Sequence, residues 1–117
     1  MKDKIKVYQK PTCSKCRETV GILKECGIDF ERINYYEQRL TSDELRDLVR
    51  KLGISPRDLL RKGEQVYRDL NLGKRELSDD ELIDLMVENP DLIQRPIVVR
   101  GKKAVLGRPP ENVQELL

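Results

Sequence analysis

The sequence predicts an α/β domain with a mixed sheet and a helical insertion in its middle. Three observations carry this expectation. Short apolar segments at residues 5–9 and 30–35 flank an amphipathic helical stripe, the pattern of a strand–helix–strand unit. Two capping boxes, Thr41-Ser42-Asp43-Glu44 and Ser78-Asp79-Asp80-Glu81, then open successive helices with no strand pattern between them. Finally, Pro96-Ile97-Val98-Val99 and Ala104-Val105-Leu106 are short, apolar and β-branched, and Gly101-Lys102 joins them as a two-residue hairpin turn with Gly first. The order is strand, helix, strand, several helices, hairpin and a closing helix.

Each element has a local reason. In residues 5–9, Ile5 and Val7 share one face while Lys6 and Tyr8 take the other, and Pro11-Thr12-Cys13 ends the run. Cys16, Val20, Leu23 and Gly27 then follow at i, i+4, i+7 and i+11, so one helical stripe faces the sheet. Gly27 suits a left-handed C-terminal cap. Phe30 to Tyr35 reads as a second strand with imperfect alternation. After the first capping box, Leu45, Leu48, Val49 and Leu52 keep helical spacing until Gly53. Ser55-Pro56 opens another helix, with Ser as N-cap and Pro at the first helical position, carrying Asp58, Leu59, Leu60 and Arg61 before Gly63. A short helical stretch surrounds Val66, Tyr67 and Leu70. The second capping box leads into Leu82, Leu85 and Met86, and Asn89-Pro90 ends that helix. Pro109-Pro110-Glu111 opens a helix running to Leu117.

Length and composition narrow the function. The chain has 117 residues, one domain spanning residues 1–117 with no repeat, linker or low-complexity tract. Apolar and charged residues each make up 38%, and the net charge is only +2. No stretch approaches the roughly 18 consecutive apolar residues of a membrane span. The start, Met1 to Lys6, has no apolar core like that of a signal peptide, which reads as cytoplasmic. There is neither a large basic excess nor aromatics set among basic residues, so a nucleic-acid partner is not expected. No Gly-x-Gly-x-x-Gly or phosphate-loop pattern calls for a bound nucleotide cofactor. The absence of His removes His-based acid–base chemistry and most zinc sites. Asp79-Asp80-Glu81 reads as a helix cap before it reads as an acid–base pair.

The three cysteines, at 13, 16 and 26, are an odd set in a chain that reads as intracellular, which argues for redox or metal chemistry over a disulfide framework. Cys13-Ser14-Lys15-Cys16 falls between a strand and a helix start, where unpaired N–H groups and the helix dipole stabilise an anion such as a thiolate. Lys10, Lys15 and Arg17 add positive charge nearby. Cys13 is therefore the candidate nucleophile and Cys16, one turn on, the candidate resolving thiol. Two other readings stand beside this one. The pair is half a zinc site, although Cys26 is the sole further soft donor and four ligands are wanted, or it is two inert buried thiols. The balance favours thiol chemistry with no metal. Cys26, near the helix end on the shoulder of the stripe, reads as a packing residue.

Taken together, Pro11-Thr12-Cys13, Gly53-Ile54-Ser55-Pro56-Arg57-Asp58-Leu59-Leu60-Arg61, Gln94-Arg95-Pro96-Ile97-Val98-Val99 and Gly107-Arg108-Pro109 resemble the ArsC-type arsenate reductases, a group that includes the Spx-like proteins. The resemblance runs from about Ile5 to Leu117. It implies a thioredoxin-like fold, with a mixed four-stranded sheet and a helical insertion. It also implies Cys13 as catalytic cysteine, Arg61, Arg95 and Arg108 as the oxyanion-binding arginines, and a cis bond before Pro96 beside the site. Residue types alone do not single out these arginines, because a surface Arg is ordinarily just solvated. Given the resemblance the chemistry is coherent: planar guanidinium groups match a tetrahedral oxyanion such as arsenate and favour a thiolate beside it. The implied activity is thiol-dependent reduction of arsenate to arsenite. Glutathione is then a co-substrate rather than a bound cofactor, and glutaredoxin or thioredoxin is the reducing partner.

Two positions depart from the family pattern. Arsenate reductases of this type often carry a His shortly before the nucleophile. Here Gln9 stands in that place with Lys10 beside it, so Lys10 joins the helix end and the arginines as candidate support for the thiolate. Cys16 also departs, since glutathione-dependent members usually have no cysteine there and Spx-like members commonly do. Two alternatives therefore accompany the arsenate reading: a thiol reductase of the same fold with another substrate, and an Spx-like redox-sensing regulator binding RNA polymerase. The regulator fits less well, because Arg108 is present and the chain ends soon after the final hairpin and helix.

Overall fold

Four short strands make up the sheet: β1 Ile5–Gln9, β2 Phe30–Asn34, β3 Ile97–Arg100 and β4 Lys103–Leu106, in the order β2-β1-β3-β4. The computed structural model describes residues 4–10 and 12–117; Pro11, expected to interrupt the first strand, lies outside them. β1 and β2 run parallel, whereas β1–β3 and β3–β4 are antiparallel, so the sheet is mixed as anticipated. The parallel pair needs a crossover, and α1 (Ser14–Glu25) supplies it. Gly27 follows that helix at φ +67°, the left-handed conformation expected of it. Gly101 likewise sits at φ +62° in the hairpin turn.

Residues 4–10, 12–38 and 95–117 pack as one unit around this sheet. Register places Val7 opposite Arg32 on one side and Val98 on the other, and Val98 opposite Val105. Ile5, Val7, Val98 and Val105 therefore share a face, and Val20 and Leu23 of α1 bury against it together with Val113 and Leu116. Each such side chain contributes about 1.5–3 kcal/mol on burial. An exposed ion pair such as Lys15–Glu18 is worth about 0–1 kcal/mol. The apolar cluster thus fixes α1 over the sheet. The closing segment, Pro110–Leu116, is a 3-10 helix rather than an α-helix. Its bonds run from Asn112 N–H to Pro109 O and from Leu117 N–H to Gln114 O. The Asn112 side chain meanwhile donates to the Leu106 and Arg108 carbonyls, tying the first turn to the end of β4.

The expected helical insertion, residues 39–94, is a compact unit of its own. It contains α2 (Ser42–Leu52), α3 (Pro56–Leu59), α4 (Gln65–Asp69), α5 (Asp79–Glu88) and a 3-10 turn at Pro90–Leu92. Both capping boxes form: Thr41 with Glu44 and Ser78 with Glu81 exchange side chain-to-backbone bonds of 3.1–3.2 Å. Gly53 closes α2 at φ +70°. One boundary differs from the sequence expectation. The helix opened by Ser55-Pro56 ends at Leu59 and does not carry Leu60 and Arg61. Leu60 is extended instead and bridges Ile93, while Arg61 N–H donates to Leu92 O at 2.7 Å. A partner more than thirty residues away in the chain takes the hydrogen bonds that a further helical turn would use. No helix among the described residues is long and apolar enough to cross a membrane.

Candidate active site

Cys13 is the N-cap of α1. Its backbone is extended (φ −80°, ψ 124°), and its sulfur accepts the Cys16 N–H at 3.4 Å. A thiol here does what Ser or Asp does at most helix starts, meeting one of the unpaired N–H groups of the first turn. Its own N–H donates to Lys10 O at 3.0 Å. Burial pushes the half-buried Cys13 thiol up. Donation from the Cys16 thiol and N–H, the positive charge of Arg95 and the Lys15 N–H outweigh it, so Cys13 is held below the ordinary thiol value. Cys16 behaves in the opposite way. It is fully buried on the stripe that faces the sheet, and burial, its bond to Cys13 and the Cys13 charge push its thiol up to about 12. The two sulfurs thus have divided roles at neutral pH: one poised to ionise, the other a proton-bearing donor to it. Both are free thiols. No cluster of potential metal ligands occurs among the described residues.

The positive charge of Arg95, which is 5% exposed, acts on Cys13. The Arg95–Pro96 bond is cis, as the resemblance implies. Two tyrosines that residue-by-residue reading did not single out surround the guanidinium. Tyr36 Oη lies 3.5 Å from Arg95 Nη1. Tyr35 is buried, and its phenol is pushed up by burial with the Arg95 charge opposing. The Tyr35 hydroxyl has no hydrogen bond of good geometry among the described residues. The two rings lie 5.1 Å apart. The Lys10 ammonium sits 5.0 Å over the Tyr36 ring, a cation–π contact. Lys15 pairs with Glu18 at 3.4 Å.

Arg108 reaches back to the same strand end: its Nη1 donates to the Arg95 carbonyl at 3.0 Å. Gly107 makes the approach possible. Its N–H donates to Pro96 O at 2.9 Å, and a Cβ there would lie 2.6 Å from Thr19 Oγ1 and 2.7 Å from Pro96 Cγ. Cys13, Cys16, Arg95, Pro96 and Arg108 thus belong to one unit, and Arg95 links the thiols to Arg108. Arg61 belongs to the insertion, where its Nε pairs with Glu64 Oε1 at 3.2 Å. Cys26 is exposed rather than packed, because the last turn of α1 carries it well off the buried stripe.

Residues 8–116 match the ArsC family. The chain belongs to that family. Among its relatives, an arsenate reductase of Haemophilus influenzae is 41% identical, covering 95% of this chain and 97% of that protein. An uncharacterized Escherichia coli K12 protein, YfgD, is 47% identical over 100% of this chain and 99% of its own length. Among solved structures, an arsenate reductase from Vibrio cholerae superposes with a TM-score of 0.93 at 44% identity, covering 98% of both chains. This ArsC-family chain therefore has the thioredoxin-like fold, with the helical insertion between β2 and β3. Its candidate site holds a thiol biased toward thiolate with the charge of the buried Arg95 acting on it, and Arg108 reaches the Arg95 carbonyl. Such a set suits attack by sulfur on an electrophile that arrives as an anion.

Proposed function

We propose that this protein reduces arsenate to arsenite, with Cys13 as the nucleophile. The observation that carries the reading is the Cys13 sulfur at the N-cap of α1, with the Cys16 N–H and thiol and the Arg95 charge all favouring its ionised form. The names of the relatives supply the substrate: arsenate reductases align with nearly the whole chain.

The steps follow from the groups present. The Cys13 thiolate attacks arsenic, an As–O bond breaks, and the oxygen leaves as water after taking a proton from solvent. This gives a Cys13–S–As(V) ester. Arg95 and Arg108 offer N–H donors to the remaining oxygens. A second thiol then attacks the Cys13 sulfur. The S–As bond breaks, its electron pair stays on arsenic, and arsenite departs as As(III), leaving a disulfide on Cys13. A further thiol reduces that disulfide. In total two thiols become one disulfide while arsenate becomes arsenite and water.

The second thiol is external in this reading. Cys16 is buried and its thiol stays protonated at neutral pH, and burial, the largest cause, persists once Cys13 is esterified. Glutathione followed by glutaredoxin therefore fits better than a Cys13–Cys16 disulfide reduced by thioredoxin. The resemblance adds Arg61 to the two arginines, and Arg61→Ala tests that addition. The proximity of Cys16 to Cys13 also suits a thiol reductase of the same fold acting on another substrate. One assay separates the two: arsenite formation with glutathione plus glutaredoxin, and separately with thioredoxin, for the native chain, Cys13→Ser and Cys16→Ser. The expected result is arsenite formation with glutathione and glutaredoxin, lost in Cys13→Ser and retained in Cys16→Ser. Full activity in Cys13→Ser would remove the mechanism. Turnover of arsenate no faster than of a generic disulfide would favour the other substrate.

A further inference from the structure

Four interactions close a ring through Cys13. Its N–H donates to the Lys10 carbonyl at 3.0 Å. The Lys10 ammonium sits 5.0 Å over the Tyr36 ring. Tyr36 Oη accepts from Arg95 Nη1 at 3.5 Å. The Arg95 charge acts back on the Cys13 sulfur. The four residues come from four places in the chain: just after β1, the N-cap of α1, just after β2, and the position before Pro96. All belong to the unit built on the sheet. Tyr36 is the member that carries neither charge nor sulfur, and the chemistry above gives it no part.

The backbone holds Tyr36 without help from Arg95. Gln9 and Asn34 are register partners at the ends of β1 and β2, so the chain leaves both strands side by side. Asn34 Oδ1 accepts the Tyr36 N–H at 3.0 Å, and Asn34 O accepts the Glu37 and Gln38 N–H groups at 3.1 and 2.9 Å. The Tyr36 ring has two side-chain torsions to fix, and the Tyr35 ring at 5.1 Å and the Lys10 ammonium both pack on it. An arginine side chain has many more conformations to lose. A rigid acceptor thus meets a flexible cation. At 3.5 Å the contact is long for a hydrogen bond, so it selects an orientation of the guanidinium more than it stabilises the fold.

We propose that Tyr36 is a positioning residue acting through Arg95, its hydroxyl holding the guanidinium where the positive charge acts on the Cys13 sulfur. The proposal rests on Cys13 as the nucleophile and is independent of what Cys13 attacks.

The test is a mutant cycle on Cys13 alkylation by iodoacetamide against pH, in a Cys26→Ser background, with the native residues, Tyr36→Phe, Arg95→Gln and the double variant. Tyr36→Phe keeps the ring under Lys10 and removes only the hydroxyl. A guanidinium released from Oη spends time farther from the thiolate. Alkylation below the inflection should therefore slow about twofold, a rise of about 0.3 pH unit, with equal rates above it. Arg95→Gln should slow it further, and the double variant should match Arg95→Gln alone, because the hydroxyl works through the guanidinium. A tyrosine with a purely structural role would lower the melting temperature and leave the inflection in place, or shift it equally with and without Arg95. Either result overturns the proposal, and so does faster alkylation in Tyr36→Phe. A second measurement needs no Arg95 variant. In isotope-labelled protein the Arg95 guanidinium N–H signals should be separately resolved in the native chain and merge by rotation in Tyr36→Phe; signals alike in both proteins overturn the proposal. With arsenate present and no reducing thiol, Tyr36→Phe should need about two- to threefold more arsenate to protect Cys13, the low end for one hydrogen bond. If arsenate fails to protect even the native chain, the arsenate reading falls, and the alkylation cycle still decides the role of Tyr36.

Discussion

Cys16→Ala tests the division of labour between the two thiols. The substitution removes the thiol that donates to the Cys13 sulfur but keeps the backbone N–H at 3.4 Å. A hydrogen bond to a charged group is worth about 1.5–3 kcal/mol, and S–H is a weak donor, so the lower end applies. About 1.4 kcal/mol is one pKa unit. The Cys13 thiol should therefore rise by about one unit, while Cys16→Ser, which keeps an O–H donor, should move it less. The fold lowers the Cys13 value. Its ionisation therefore contributes stability that is present above the unfolded value and lost as pH falls through the folded one. Cys16→Ala should lose that contribution on the alkaline side only, whereas the small cavity left at a fully buried position costs the same at every pH. The assay is the iodoacetamide rate against pH in a Cys26→Ser background, since Cys26 is exposed. The inflection should move up, with about tenfold slower alkylation below both values and equal rates above them. An inflection that stays put or moves down refutes the view of Cys16 as the donor that holds the thiolate.

Three further outcomes are expected. Arg95→Gln removes the positive charge acting on Cys13 and should raise its alkylation inflection by less than Cys16→Ala does, because the Cys16 bonds outweigh that charge. Gly107→Ala places a Cβ 2.6 Å from Thr19 Oγ1 and 2.7 Å from Pro96 Cγ. It should cost about 2 kcal/mol, a Tm drop of roughly 10 °C in thermal melts, and Thr19→Ala in the same chain should restore only part, since one of the two contacts remains. Thr41→Ala removes one half of the capping box on α2. It should cost about 1 kcal/mol in urea unfolding while leaving Cys13 alkylation unchanged.

Much of the architecture was legible because its causes are local. Thr41 and Glu44, or Ser78 and Glu81, need only each other to start a helix, and Gly27, Gly53 and Gly101 need only the absence of a Cβ to turn the chain. The strand–helix junction at Cys13 was readable for the same reason. What escaped is non-local. Leu60 leaves its helix for Ile93. Tyr36 meets Arg95 across a separation of 59 residues, and no pattern around either residue announces the contact. The Gly107 approach to Thr19 and Pro96 depends on the packing of α1 over the sheet. Arg95 and Arg108 were named through family likeness, since twelve arginines look alike until the fold buries one of them and turns another back onto it. The spacing of Cys13 and Cys16 marked the pair. Burial separates their ionisation, pushing the Cys16 thiol up to about 12 while Cys13 is held below the ordinary thiol value.

The most direct measurement is the protection of Cys13 by arsenate, with no reducing thiol present. Cys13 carbamidomethylation is followed by mass spectrometry at increasing arsenate, in the native chain and in Arg108→Gln. An anion seated at the thiolate should slow the modification saturably in the native chain, and the variant should need far more arsenate for the same effect. If arsenate leaves the rate unchanged at every concentration, or protects both proteins equally, Cys13 and Arg108 do not form one anion site and the account fails.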